Sequence, residues 1–223
     1  MTLSLSRLVT PISTIGQGLL AAYVWRFGNP GPIPMHFGLD GTADRYGDRV
    51  EAALLIAGMM VLSLIVGLMM DASARMPEAD EARRRGLAMV KGLGVVVPCL
   101  VSVLMAGLAL SADPAHLISG HALSTAFCGL FAVVGAMTGK VPPNAFVGVR
   151  TPWSLSSRLA WDRSNRLAGR LFLWFGLIGM VASLALPQQF AMPILIAGVL
   201  IIAGLSIFES WRVWRSDPDR RAV

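Results

Sequence analysis

Charge is scarce in this chain: Asp, Glu, Lys and Arg make up 14% of its 223 residues, where a soluble domain carries about 25%. Few charges combined with many apolar residues exclude intrinsic disorder, which needs the reverse balance. Cysteine is nearly absent. Cys99 and Cys128 both fall in apolar stretches, with no CxxC spacing and no neighbouring ligand. That excludes a disulfide-stapled domain and a zinc knuckle, and both are expected as small core residues. Histidine occurs three times. No HExxH, no GxSxG and no aspartate pair inside an apolar run occurs, so no catalytic set, metal site or cofactor is expected.

What is plentiful is apolar: 55% of residues are hydrophobic and the mean hydropathy is +0.64. The charges cluster between long uncharged stretches, the pattern of a multi-pass membrane protein. About 20 helical residues cross the hydrocarbon layer. Uncharged runs occur at 8–25, 52–70, 92–112 and 117–139, the last interrupted by His121. The run 171–208 is uncharged over 38 residues, about 57 Å as one helix, too long for one crossing. Pro187, Gln188 and Gln189 near its middle break the helix and favour water, which divides it into spans at about 168–186 and 190–208. The expected fold class is therefore an all-α polytopic bundle of six transmembrane helices. The first run resembles a signal peptide in having Arg7 ahead of it, but no small-x-small cleavage site follows, so an uncleaved span is expected.

A net charge of +6 and a pI of about 10.3 would suggest nucleic acid in a soluble chain. Here the cations follow membrane sidedness, and no direct nucleic-acid partner is expected. Arg7, then Arg75, Arg83, Arg84, Arg85 and Lys91, then Lys140, Arg150, Arg158, Arg163, Arg166 and Arg170, then Arg212, Arg215, Arg220 and Arg221 all fall on one side. Arg26, Arg45 and Arg49 fall on the other. Sixteen of the 19 Lys and Arg therefore put both termini in the cytoplasm. Trp211 and Trp214, alternating with Arg212 and Arg215, suit an inner interfacial anchor, and Trp25 with Arg26 an outer one. Gly58, Gly67, Gly92, Gly94, Gly129, Gly135, Gly176 and Gly179 are read as helix-packing contacts. The expected organisation is an N-terminal membrane domain at 1–70, a basic cytoplasmic loop at 71–91 and a C-terminal membrane domain at 92–223 with a cytoplasmic loop at 140–167.

Two connections carry more than hydropathy. In the outer one, Pro30, Pro32 and Pro34 force an extended start, and 39–42 read as a turn. His36 lies between Met35 and Phe37. It either bonds a backbone carbonyl while its neighbours dip into the interface or forms part of an outer surface with Phe37. Asp40, Asp44 and Asp48 lack the pattern of a calcium loop, and Asp44 to Asp48 fit the start of the second helix. In the inner connection, Gly148 reads as a turn and Pro152 keeps Thr151 out of the α region. Ser154 or Ser156 is the expected cap of a short helix leading into the fifth span. On that helix Arg158–Asp162 and Asp162–Arg166 are i,i+4 pairs. Trp153, Trp161, Leu155 and Leu159 suit the headgroup boundary.

The run from Pro32 to Phe37 with Gly41 and the stretch from Asp44 to Arg49 resembles the small N-terminal membrane domain of unknown function found in the SdpI family. Asn144, Phe146, Gly148, Arg150, Thr151, Pro152 and Trp153, followed by Trp161 and the stretch from Asn165 to Gly169, resemble that family's C-terminal signature. Family members commonly have a Thr-His pair where this chain has Ser164-Asn165, and a lysine at Arg49. The first difference removes a titratable group. The resemblance implies a multi-pass cell-membrane protein that confers immunity to a secreted peptide toxin and holds a cytoplasmic transcriptional repressor at the bilayer. It assigns partner contacts to His36 and Phe37 outside, and to Asn144, Arg150, Thr151, Pro152, Trp153 and Trp161 inside. Two alternatives stand beside this one. A membrane enzyme acting on lipid or peptide would use His36, Asp40, Asp44, Asn144 and Arg150. A small-solute transporter would use His121 and Pro98.

Overall fold

The computed structural model describes residues 2–38, 42–75, 81–112, 122–144 and 147–221. Asp40, the rest of the expected turn at 39–41, and His121 lie outside them. The chain forms two compact units, Met1–Leu123 and Ser124–Val223.

In the first unit, helix α1 (Thr2–Phe27) leads into a two-stranded antiparallel ribbon, β1 (Ile33–Phe37) and β2 (Ala43–Gly47), then helices α2 (Arg49–Ala74) and α3 (Glu81–Leu110). The described chain is otherwise helical, so the all-α expectation holds except at the ribbon. Asp48 starts α2. Its backbone is extended and its carboxylate accepts from the amides of Val50 and Glu51 at 2.9 Å each, satisfying donors that the first helical turn leaves free. Asp44, expected beside it in the helix, lies instead in β2. Val24, Ile33, Ala52, Ala53, Ile56, Ala106 and Ala109 form the core where the helices meet the ribbon. Small alanines let the three backbones close in, and Ile33 fixes the ribbon to them.

The interior of this unit is polar in places. Gln17, the residue that weakens the first apolar run, donates through Nε2 to Ser102 Oγ at 3.0 Å, and Ser102 donates to the Pro98 carbonyl at 2.8 Å. Meanwhile Leu8, Ile12, Ile15 and Leu19, spaced one turn apart on α1, are 54–67% exposed. An apolar stripe turned outward with polar groups turned inward suits hydrocarbon as solvent. Lys91, expected in the basic loop, is instead buried in α3, where its Nζ meets the Asp71 carboxylate of α2 at 2.8 and 2.9 Å. A buried ammonium needs such a counter-charge.

The second unit holds all but the first two residues of α4 (Ala122–Thr138), then α5 (Pro152–Ser156), α6 (Arg158–Ala182) and α7 (Gln188–Ser216). The expected break at Pro187 is present: α6 ends at Ala182 and Pro187 precedes α7. Helices α4 and α6 cross at glycine. A Cβ on Gly135 or Gly176 would strike the facing helix backbone, and one on Gly179 would meet Cys128 Sγ at 2.6 Å, which confirms packing as the role of these glycines. Cys128 is buried there; Cys99 is half-buried, and both are free thiols. At the end of α7, Arg215 lies over the Trp211 ring at 5.0 Å and Arg220 over Trp214 at 4.9 Å.

Among the described residues, four helices are long and apolar enough to cross a membrane: Leu8–Phe27, Arg49–Ala74, Gly86–Leu110 and Gln189–Ser216. The other two expected spans differ. Helix α4 is apolar but has 17 residues, about 25 Å. Helix α6 starts ten residues before the expected fifth span and bears five charged residues before Leu171, leaving 171–182 as its uncharged end.

Candidate functional site

The connection expected on the inner side is tied to itself over its described residues, 141–144 and 147–157. Asn144 donates through Nδ2 to the carbonyls of Pro142 and Val147 at 2.9 Å each, and its Oδ1 accepts the Val147 amide at 2.8 Å. Gly148 follows with φ of +124°, a region costly for any residue with a Cβ. A Cβ there would also meet Asn165 Oδ1 and lie 3.1 Å from the Trp161 ring. That Asn165 oxygen accepts the Val149 amide at 2.8 Å, and Asn165 Nδ2 donates to the Trp161 carbonyl at 3.0 Å.

Trp161 and Asn165 therefore form the floor of the loop. Trp161 is fully buried, and its Nε1 donates to the Val141 carbonyl at 3.0 Å. This corrects the expectation of an interfacial anchor: the side chain is core, and its one polar atom is satisfied. Ser164 and Asn165 are buried beside it. Where a Thr-His pair would place an imidazole, this chain has an amide that bonds backbone on both sides.

Thr151 and Ser154 make a reciprocal capping box at α5, with Pro152 in the first turn, where its missing N–H costs nothing. Ser154 Oγ also donates to the Val149 carbonyl at 2.6 Å, and Thr151 Oγ1 bonds Ser210 Oγ of α7. Ser157, not Ser154 or Ser156, caps the long helix α6: its Oγ accepts the Ala160 amide at 2.9 Å. Ser157 in turn donates to the Asp217 carboxylate, and the Arg221 amide donates to the Ser156 carbonyl at 3.0 Å. The expected Arg158–Asp162 and Asp162–Arg166 pairs do not close among the described residues.

Most of the polar signature is consumed by folding. Asn144 staples the loop, Gly148 turns it, and Thr151 with Pro152 starts the helix. Arg150 is exposed, and no hydrogen bond or ion pair engages its guanidinium among the described residues. It borders a cavity of about 390 Å³ between the loop, Phe172 of α6 and Ser206 of α7. Trp153 is half-buried. A planar guanidinium free of internal partners, beside an apolar hollow, can accept a carboxylate or phosphate bidentately.

The outer candidates sit on the ribbon. His36 is exposed and its Nδ1 lies 2.6 Å from Asp44 Oδ1 across the strands. The imidazole partner is thus a carboxylate, not a backbone carbonyl. Phe37 is half-buried, and Met35 packs on the core. Arg45 pairs with Glu51 at the start of α2. Among the described residues, no three His, Cys, Asp or Glu side chains converge as a metal site would require.

Sequence reasoning missed the Asp71–Lys91 pair, the role of Asn165 as the loop's floor and the bond from Ser154, expected only as a cap, to the Val149 carbonyl. Asn165 and Ser154 had a local signal, polar residues one turn from an aromatic or a cap. The ion pair had none, because its partners stand on different helices. Residues 140–210 match the SdpI/YfhL protein family, and residues 14–61 match a domain of unknown function, DUF1648. No curated protein and no solved structure matches the chain. The longer match begins at Lys140 and ends at Ser210, enclosing the whole self-tied loop and its contact on α7. Both segments occur in the expected order, so the resemblance to the SdpI/YfhL family holds over residues 140–210, with a DUF1648-like segment ahead of it.

Proposed function

We propose that this membrane protein is an immunity protein and receptor: it protects against a secreted peptide toxin and holds a cytoplasmic transcriptional repressor at the bilayer. The observation that carries the reading is the state of Arg150. Its neighbours in the signature are engaged in the loop's own structure, whereas Arg150 is held exposed without an internal partner. Rigid presentation of one guanidinium is what recognition of an acidic partner needs. The ribbon supplies the outward surface, His36 beside Phe37. The excess of basic residues on one side supports a reading with the ribbon outside and Arg150 in the cytoplasm. Toxin must bind one helix arrangement better than another for the signal to pass, because only differential affinity shifts a conformational equilibrium.

Survival of sensitive cells expressing the chain, challenged with a co-encoded secreted peptide, tests this reading. Wild type is expected to protect. Arg150→Gln is expected to keep protein level and protection while releasing the repressor. Absence of protection by wild type against any co-encoded peptide overturns the reading.

One observation favours small-solute transport instead. The Asp71–Lys91 pair and the Gln17–Ser102 bond put polar groups between α1, α2 and α3, and ionisable groups within spans often mark solute pathways. Solute flux into proteoliposomes that disappears in Lys91→Met would select this second reading.

A further inference from the structure

One face of α6 changes character along its length. Arg163, Arg166 and Arg170 recur at i, i+3 and i+7, and the same face continues as Trp174, Leu177 and Val181. Trp174 is 61% exposed and Val181 72%. The adjoining face carries Gly169 and Gly176, which pack on α4. The three arginines, with Lys140 and Gly169, line a cleft of about 910 Å³ floored by Gly135 and Gly139. Asp162 and Glu209 also border it. Glu209 is neutralised by Arg212, which donates to both its oxygens at 2.8 and 2.9 Å. The cleft therefore keeps a net positive charge, and beyond Arg170 the same helix face continues as exposed apolar surface.

We propose that this cleft is a binding site for one anionic phospholipid, with the phosphate held by Arg163, Arg166 and Arg170 and an acyl chain laid along Trp174, Leu177 and Val181. Guanidinium groups match phosphate oxygens in bidentate geometry, and basic pockets between membrane helices take anionic headgroups. A tryptophan at the junction of basic and apolar zones is where interfacial indoles settle. An acidic peptide would satisfy the arginines but leave the apolar continuation uncovered, whereas a diacyl lipid satisfies both. The site is distinct from Arg150 and stands without the toxin reading.

Native mass spectrometry of the full purified chain with added phosphatidylglycerol or phosphatidylcholine tests the proposal. Wild type is expected to retain phosphatidylglycerol preferentially. Arg170→Gln is expected to lower that preference roughly fivefold, the effect of one cation at an anionic surface, and Arg163→Gln/Arg166→Gln/Arg170→Gln to abolish it. Arg170 is exposed, so its single variant is informative even if the triple variant fails to fold. Arg215→Gln, elsewhere on the basic surface, should leave the preference intact. Trp174→Ala should weaken both lipids alike. Equal retention of the two lipids by wild type, an unchanged preference in Arg170→Gln, or displacement of phosphatidylglycerol by a polyglutamate peptide would overturn it.

Discussion

The indole of Trp161 donates its only hydrogen bond to the Val141 carbonyl, 20 residues earlier in the chain, at 3.0 Å. The bond closes the loop between α4 and α5 at its base, so the loop's shape depends on a side chain in α6. Trp161→Phe should keep most of the packing but leave that buried carbonyl without a partner, at a cost of about 1–3 kcal/mol. Trp161→Ala should cost about 3–5 kcal/mol. Thermal unfolding of the detergent-solubilised protein measures both, and a Phe variant as stable as wild type would contradict the assignment.

Gly148 and Gly129 provide a matched test of backbone conformation. Gly148 has φ of +124° and no room toward Asn165, whereas a Cβ on Gly129 would meet only Met180 Sδ at 3.8 Å. Gly148→Ala should destabilise by at least about 1 kcal/mol from the backbone alone, while Gly129→Ala should be near neutral. Limited proteolysis within 141–157 would detect the opened loop in the first variant only.

Asp71 and Lys91 should behave as a unit. Removing either partner leaves a charge stranded among helices, at about 3–5 kcal/mol. Lys91→Met and Asp71→Asn should each lower the melting temperature strongly, and the double variant by less than the two together. Strict additivity in this double-mutant cycle would show that the pair is not coupled.

The ribbon pair His36–Asp44 is exposed on both sides, so its loss should cost under about 1 kcal/mol. His36→Ala and Phe37→Ala are therefore expected to leave melting almost unchanged while reducing survival under toxin challenge. Loss of function without loss of stability would assign these residues to recognition; unaltered survival would remove the ribbon from the toxin site.

The helices were legible because hydropathy is local: the apolar runs at 8–25 and 52–70 lie inside helices, the run at 92–112 does so up to Leu110, and Pro187 separates the last two helices. What failed was non-local. Trp161 stands among arginines and leucines, which reads as an interface, yet the burial that decides its role comes from the loop folding over it. Lys91 borders an apolar run and reads as loop, but its partner Asp71 lies across the connection on α2. The ribbon was hidden because proline depresses strand propensity and its pairing is between separate segments of the chain. The signature segment was legible as sequence, whereas the division of its residues into structural members and a free guanidinium needed the hydrogen bonds.

Beyond α7, Asp217 grips the Ser157 hydroxyl and the Arg221 amide holds the Ser156 carbonyl, so the tail acts as a clasp on the α5–α6 hinge. A reporter or affinity tag spliced on before Asp217 would unfasten that hinge and disturb the loop carrying Arg150. Fusions for localisation or capture are better attached after a spacer that leaves 217–221 untouched, because a mute fusion at this end can imitate a loss-of-function mutation.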